Sequence, residues 1–209
     1  MDNPIISVMC VDGHRIVREG IGLIVSRQQD MRMVASVASG EDALAAFRTH
    51  HPSVTLMDLQ LGGMSGVETI RAIRHEAPRS RIVVLTIYQG DEDIHRALQA
   101  GATTYLLKDT LSDDLIRVIR EVHHGLHPIR PDIAARLAER AAGPTLTPRE
   151  IQVVELLSRG MRNKDVAASL GISYDTAHVH VKNILAKLNV SDQSAAITVA
   201  IRRGIIHLF

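Results

Sequence analysis

The sequence predicts an α/β fold followed by an all-α one: a doubly wound parallel sheet of five βα units, then four short helices. Three observations carry this prediction. Short, β-branched-rich apolar runs alternate with amphipathic segments over residues 1–124. A Gly- and Pro-rich stretch interrupts the pattern after His124. Beyond residue 145 the strand-like runs stop, and helix-start and helix-stop signals recur in their place.

Taken in order, the strands fall at Ile5–Val11, Met33–Val37, Val54–Met57, Ile82–Thr86 and Thr104–Leu107. The intervening helices are His14–Ser26, Glu41–His50, Val67–Glu76, Asp91–Ala100 and Leu111–His124. In the last of these, Leu115, Val118, Ile119 and Val122 form one apolar stripe. Strands and helices in this alternation imply a parallel sheet with helices on both faces. Should the first strand lie between the second and third, the sheet reverses direction there, and Asp12 and Asp58 meet at the crevice. Asp58 is the more telling of the two. It ends a short buried run, and a loop rich in glycine (Gly62, Gly63, Gly66) follows at once.

The segment Gly125-Leu-His-Pro128-Ile-Arg-Pro131 cannot continue a helix. Asp132–Ala142 then reads as one Ala/Arg-rich helix capped by Asp132, broken by Gly143-Pro144. The predicted division is a domain at 1–124, a linker at 125–145 and a domain at 146–209. In the last domain Thr147-Pro148-Arg149-Glu150 is a capping box with proline at the first helical position. That helix ends near Ser158, before Gly160. A second runs Asn163–Leu170, and after the tight Gly171-Ile172-Ser173 turn a third runs to Leu188. A fourth spans Ser191–Arg203 and is stopped by Gly204. The second and third form a helix-turn-helix.

With 45% hydrophobic and 22% charged residues, the chain of 209 residues has the composition of a soluble protein with a substantial core. With no Trp, two Phe and three Tyr, that core is aliphatic. The lone Cys10 can form no internal disulfide, which fits a cytoplasmic location. No apolar run approaches the ~18 residues that span a bilayer, so no membrane partner is expected. The net charge of +1 is unevenly distributed: residues 145–209 hold eight Lys and Arg against five Asp and Glu. The basic excess points only the final domain toward a polyanion.

Residues 5–124 resemble the receiver domain of two-component response regulators, a flavodoxin-like fold. Asp58 matches the phosphoacceptor, Thr86 the hydroxyl ending the fourth strand, Lys108 the lysine ending the fifth, and Tyr105 the aromatic switch position. The run Ala100-Gly-Ala-Thr-Thr-Tyr-Leu-Leu-Lys-Asp109 follows the family pattern throughout. The resemblance implies Mg²⁺ held by Asp58, Asp12 and the backbone carbonyl of Gln60, with phosphoryl transfer from a sensor histidine kinase to Asp58. Two departures stand out. Gly13 occupies the place of a second acid that ordinarily touches the metal, and Gly62 stands where proline is common. A lost metal-binding oxygen weakens or abolishes Mg²⁺ binding. The alternative is therefore an atypical regulator that works without phosphorylation.

Residues 146–206 resemble the DNA-binding domain of LuxR-type (NarL/FixJ) regulators. The residues that carry the resemblance are Leu146-Thr-Pro-Arg-Glu150, Asn163-Lys164, Thr176, His180-Val181, Asn183-Ile184-Leu185 and Lys187-Leu188. At 100° per residue, Ala177, Val181, Ile184, Leu185 and Leu188 share one face of the third helix. Asp175, His178, Val179, Lys182 and Asn183 share the other. The resemblance implies that Lys164, Thr176, His180 and Lys187 hold phosphates or support that surface, while His178, Val179 and Lys182 face base edges. The small residues Ala195, Ala196, Val199 and Ala200 on the fourth helix suit close packing in a homodimer, or in the domain's own core. The sequence thus reads as a transcriptional regulator of promoter DNA and not as an enzyme. An aspartate-dependent phosphatase needs a second acid two residues after its nucleophile, and Gln60 cannot supply a proton. A flavin carrier would need a phosphate-cradling loop after the first strand, and none is present.

Overall fold

Parallel pairing of five short apolar strands fixes the frame of the first half of the molecule. In the computed structural model, which describes residues 5–109 and 112–207, these are β1 (Ile6–Val11), β2 (Met31–Val37), β3 (Val54–Met57), β4 (Ile82–Thr86) and β5 (Thr104–Leu107). Their order is β2-β1-β3-β4-β5. β1 therefore lies between β2 and β3, as the crevice argument requires. The register then places the chemistry. Val11 pairs with Met57, so Asp12 and Asp58 follow as neighbours. Thr86 pairs with Leu107, so Lys108 follows beside it.

The helices are α1 (Arg15–Ser26), α2 (Gly40–His50), α3 (Gly66–Glu76), α4 (Asp91–Gln99) and α5 (Ser112–His123). Val8, Cys10 and Leu56 of the sheet pack with Ile21 of α1 and with Leu115 and Ile119 of α5 in one aliphatic core. Burial pushes the Cys10 thiol up to about 12, with the charge of Asp12 adding to it, so the group is an inert hydrophobe.

Most boundaries agree with expectation, and the differences have local causes. β2 starts at Met31, two residues before the predicted Met33, because Ile6 pairs with Met31 and Ser7 with Arg32. The exposed Arg32 hides that extension in a hydropathy pattern. α3 begins at Gly66 because Ser65 and Glu68 form a reciprocal capping box. The expected start of the fifth helix at Leu111 lies outside the described residues.

The second half is helical: α6 (Pro131–Ala142), α7 (Pro148–Ser158), α8 (Asn163–Leu170), α9 (Tyr174–Leu188) and α10 (Gln193–Arg202). α6 starts at Pro131, one residue before the predicted cap Asp132, as suits a residue with no N–H to leave unpaired. α7 carries the expected Thr147–Glu150 capping box. α10 starts at Gln193, two residues after the expected Ser191, because Asp192 caps it by accepting from the Ala195 N–H. Val154, Val166, Val181, Ile184 and Ala200 share one core across α7–α10. By compactness the chain divides into Met1–Tyr88 with His95–Ile133, and Gln89–Ile94 with Ala134–Phe209.

At Gly66 the first unit admits no side chain. A Cβ there would lie 2.1 Å from the Asp58 carbonyl oxygen and 2.7 Å from the Leu59 Cα, both backbone atoms that cannot swing aside. At Gly62 nothing lies within 4 Å. Gly66→Ala should therefore destabilise the first unit by about 1–3 kcal/mol, a typical overpacking cost. Gly62→Ala should change stability by no more than about 0.5 kcal/mol. Urea denaturation of the two variants checks this.

Candidate functional site

Two places collect the residues singled out from the sequence: a crevice at the carboxyl ends of the strands, and the exposed face of α9.

At the crevice, Asp12 and Asp58 are buried, and Lys108 joins them. Its Nζ lies 2.7 Å from Asp12 Oδ2 and 2.6 Å from Asp58 Oδ2. Burial works against the Lys108 ammonium, but its bonds to Asp12 and Asp58 outweigh this and hold its pKa above the usual lysine value. The Asp58 N–H donates to the Val11 carbonyl, and the Lys108 N–H to the Thr86 carbonyl, so the ends of β1 and β3 are fastened together, as are those of β4 and β5. Thr86 is fully buried, and its hydroxyl has no hydrogen-bond partner among the described residues. Tyr105 is buried too, its hydroxyl donating to the Tyr88 carbonyl at 3.0 Å. The Gln60 N–H donates to Asp58 Oδ1 at 3.3 Å.

Two further residues at this crevice went unmarked in the sequence. The His14 N–H donates to Asp12 Oδ1 at 2.8 Å, and its ring Nδ1 lies 3.3 Å from the same oxygen. Arg18 donates to the carbonyls of Asp12 and Gly13, pinning the loop. A histidine two residues after an acid at a strand end is the signal that could have found the first. Arg18, one helical turn further on, leaves no such trace.

The fit of a divalent cation can be tested on these atoms. Ligand atoms of Asp12, His14 and Asp58 all lie within 4.8 Å of one another. A Cβ added at Gly13 would meet the Gln60 carbonyl oxygen at 3.6 Å, an ordinary contact, so a side chain at this position meets no steric bar. The crevice accommodates a cation with two carboxylates, and offers an imidazole nitrogen nearby.

On α9, Asp175, His178, Val179, Lys182 and Asn183 are exposed, while Ala177, Val181, Ile184 and Leu188 are buried. The helix starts at a Ser173 cap, whose oxygen accepts from the Thr176 N–H. Gly171 ends α8 in the left-handed conformation, with φ of 64°, which allows the tight turn. His178 stacks on the exposed Tyr174 ring, with centroids 6.4 Å apart. Lys164 is exposed at the start of α8, and His180 is half-buried. Lys187 is engaged: its Nζ lies 2.7 Å from Glu150 Oε2, which also accepts from the Thr147 N–H. Burial of Glu150 raises its pKa, but Lys187 and Thr147 more than offset this and leave it below the ordinary 4.5. On α10, Ala196 and Ala200 are buried in the domain's own core, whereas Ala195 and Val199 stay partly exposed.

A doubly wound sheet with an acid–lysine crevice, joined to a helix-turn-helix, defines a signal-receiving regulator with a DNA-binding output. Residues 8–120 match the response regulator receiver domain, and residues 144–200 match the luxR family of bacterial regulatory proteins. The chain belongs to the two-component response regulators with LuxR-type helix-turn-helix output, and is a DNA-binding transcriptional regulator, not an enzyme. It is 33% identical over 206 residues to the response regulator protein VraR of Staphylococcus epidermidis, covering 96% of this chain and 99% of that one. It is 35% identical over 218 residues to the transcriptional regulatory protein YxjL of Bacillus subtilis, covering 99% and 100%. Among solved structures, the response regulator ChrA of a heme-sensing two-component system is 33% identical, with a TM-score of 0.59, over 97% of this chain and 99% of that one. RcsB, solved as dimers bound to DNA, shares the fold with a TM-score of 0.70 at 21% identity, over 95% and 98%.

The Lys187–Glu150 pair gives a test in the second unit. Glu150 titrates lower when folded, so its stabilisation is complete above pH 4.5 and is lost as the pH falls through the folded value. Lys187→Met should cost about 1–3 kcal/mol at neutral pH by leaving a buried carboxylate without its cation. The cost should shrink on acidification. Thermal unfolding followed from pH 7 to well below 4.5 measures both.

Proposed function

We propose that Asp58 accepts a phosphoryl group from a sensor histidine kinase, and that the modified receiver promotes dimerisation and binding to promoter DNA. The supporting observation is the convergence of Asp12, Asp58 and Lys108 at the ends of β1, β3 and β5, with the Thr86 hydroxyl, unpartnered among the described residues, on β4 between Asp58 and Lys108. An Asp58 oxygen attacks phosphorus, forming the acyl phosphate bond as the bond to the donor nitrogen breaks. Lys108 offsets charge on a phosphoryl oxygen. Thr86 is free to donate to another, which repairs a buried hydroxyl that is otherwise unsatisfied. Bound Mg²⁺ would neutralise charge on the transferring group, held by Asp12, Asp58 and the Gln60 carbonyl. Thr86 drawn toward the phosphoryl group would alter the surface beside Tyr105, whose hydroxyl holds the Tyr88 carbonyl.

At the output end, His178, Val179 and Lys182 are read as base-facing, and Lys164 and Thr176 as phosphate-facing. His180 and Lys187 support that face. Ala195 and Val199 of α10 are the small, partly exposed residues offered to a second copy. Members of this family bind promoter DNA and pair with sensor kinases. The chain's place of action is then the cytoplasm; among the described residues no helix is long and apolar enough to cross a membrane. The proposed division is a receiver at 1–124, a linker at 125–145 and the output domain at 146–209.

Gly13 favours a second reading, a receiver that acts without phosphorylation. With one acid fewer, Lys108 already bridges both remaining carboxylates. Labelling with a small phosphodonor and Mg²⁺ separates the two: ready labelling at Asp58 supports the first, and labelling seen only in Gly13→Asp supports the second. Asp58→Ala should abolish phosphodonor-stimulated operator binding in a mobility-shift assay, and unchanged binding with and without donor would overturn phospho-gating. Removing the charge of Lys164 should weaken binding to all sequences alike and lower the salt slope by about 1. Loss at Lys182 should also relax the sequence preference.

A further inference from the structure

The crevice departs from an all-oxygen cation site in one respect: the missing carboxylate at Gly13 is accompanied by an imidazole at His14. We infer that His14 is a metal ligand, and that with Asp12 and Asp58 it selects a first-row transition ion of the Co²⁺ or Zn²⁺ type over Mg²⁺. This rests on the reading of the crevice as a cation site, but not on phosphorylation.

Four observations carry it. The ligand atoms of Asp12, His14 and Asp58 are mutually within 4.8 Å, so small side-chain adjustments bring all three onto one ion. His14 sits at the N-cap of α1, yet its side chain makes no capping hydrogen bond; its ring turns to Asp12 instead. Lys108 occupies the Oδ2 atoms of both carboxylates. Asp12 Oδ1 accepts from the His14 N–H and lies against the imidazole, and among the described residues Asp58 Oδ1 meets only the long Gln60 N–H bond, so an ion reaches those oxygens without displacing the lysine. The backbone is already set as well, because the His14 N–H and the two Arg18 bonds fix the Asp12–His14 turn.

The selectivity follows from ligand chemistry. Two carboxylates and one ammonium leave the crevice with a net charge of −1, less than a hard dication needs for tight binding. Mg²⁺ prefers oxygen and surrenders its water reluctantly. A neutral imidazole adds no charge, but it is a good ligand for Co²⁺ and Zn²⁺. The nitrogen therefore replaces part of what Gly13 removes for these ions and little of it for Mg²⁺.

The test uses the full chain, without phosphodonor, titrated calorimetrically with CoCl₂ and with MgCl₂, with the visible Co²⁺ absorption followed in parallel. His14→Ala should weaken Co²⁺ binding by about 10–100-fold. Mg²⁺ binding should change less than about threefold, and the Co²⁺ bands should shift with loss of the nitrogen ligand. Gly13→Asp, which the open space tolerates, should strengthen Mg²⁺ binding and narrow the gap between the ions. Asp12→Asn should weaken both, which separates this site from the other histidines among the 11 in the chain. Equal losses for both ions in His14→Ala, or no loss and unchanged Co²⁺ bands, would overturn the inference. Phosphodonor labelling run separately keeps the two readings apart. Labelling with Mg²⁺ that His14→Ala leaves intact, alongside unchanged Co²⁺ affinity, removes the metal inference alone. Altered Co²⁺ binding with no labelling under either ion removes phosphoryl transfer alone.

Discussion

A single ammonium between two buried carboxylates is the constraint around which the receiver is built. Asp12 and Asp58 end adjacent parallel strands whose register forces them side by side. Two like charges so placed repel each other. Lys108 resolves that conflict by bonding to both, and it can do so only because β5 delivers it from the far side of β4. The same arrangement prepares the site for an incoming anion or cation. Positive charge, paired acids and an unsatisfied hydroxyl already share one end of the sheet, so little reorganisation is needed when a ligand arrives.

That geometry depends on backbone contacts with no slack. Gly66 lets α3 start against the Asp58 carbonyl, and the Ser65–Glu68 capping box holds the helix there. Arg18 and the His14 N–H fix the opposite wall. The output domain uses a comparable device at a different scale. Glu150 caps its own helix through Thr147 and anchors Lys187 of α9, so one buried carboxylate joins the supporting helix to the exposed one. The orientation of the face bearing His178, Val179 and Lys182 is thereby tied to the domain core.

Much of this was legible in the residues themselves. Periodicity of two against 3.6 separated strands from helices, and the Thr147-Pro148-Arg149-Glu150 box and Gly171 located the ends of α7 and α8. The inward and outward faces of α9 followed from helical spacing alone. Less visible were features whose cause is a distant partner. β2 extends back to Met31 because β1 pairs with it there, and Arg32 conceals the fact. Lys187 looks like any cationic residue on a helix until Glu150 is seen beside it, 37 residues away in sequence.

The sequence by itself determined the succession of elements, the apolar face of each, and which side chains end the strands, because these depend on neighbours within a few residues. Only the tertiary structure decided that Lys108 bridges Asp12 and Asp58, and that Thr86 has no side-chain hydrogen-bond partner among the described residues. Such relations join strands and loops far apart along the chain. Their distances are set by sheet register and helix packing, which local pattern constrains but does not contain.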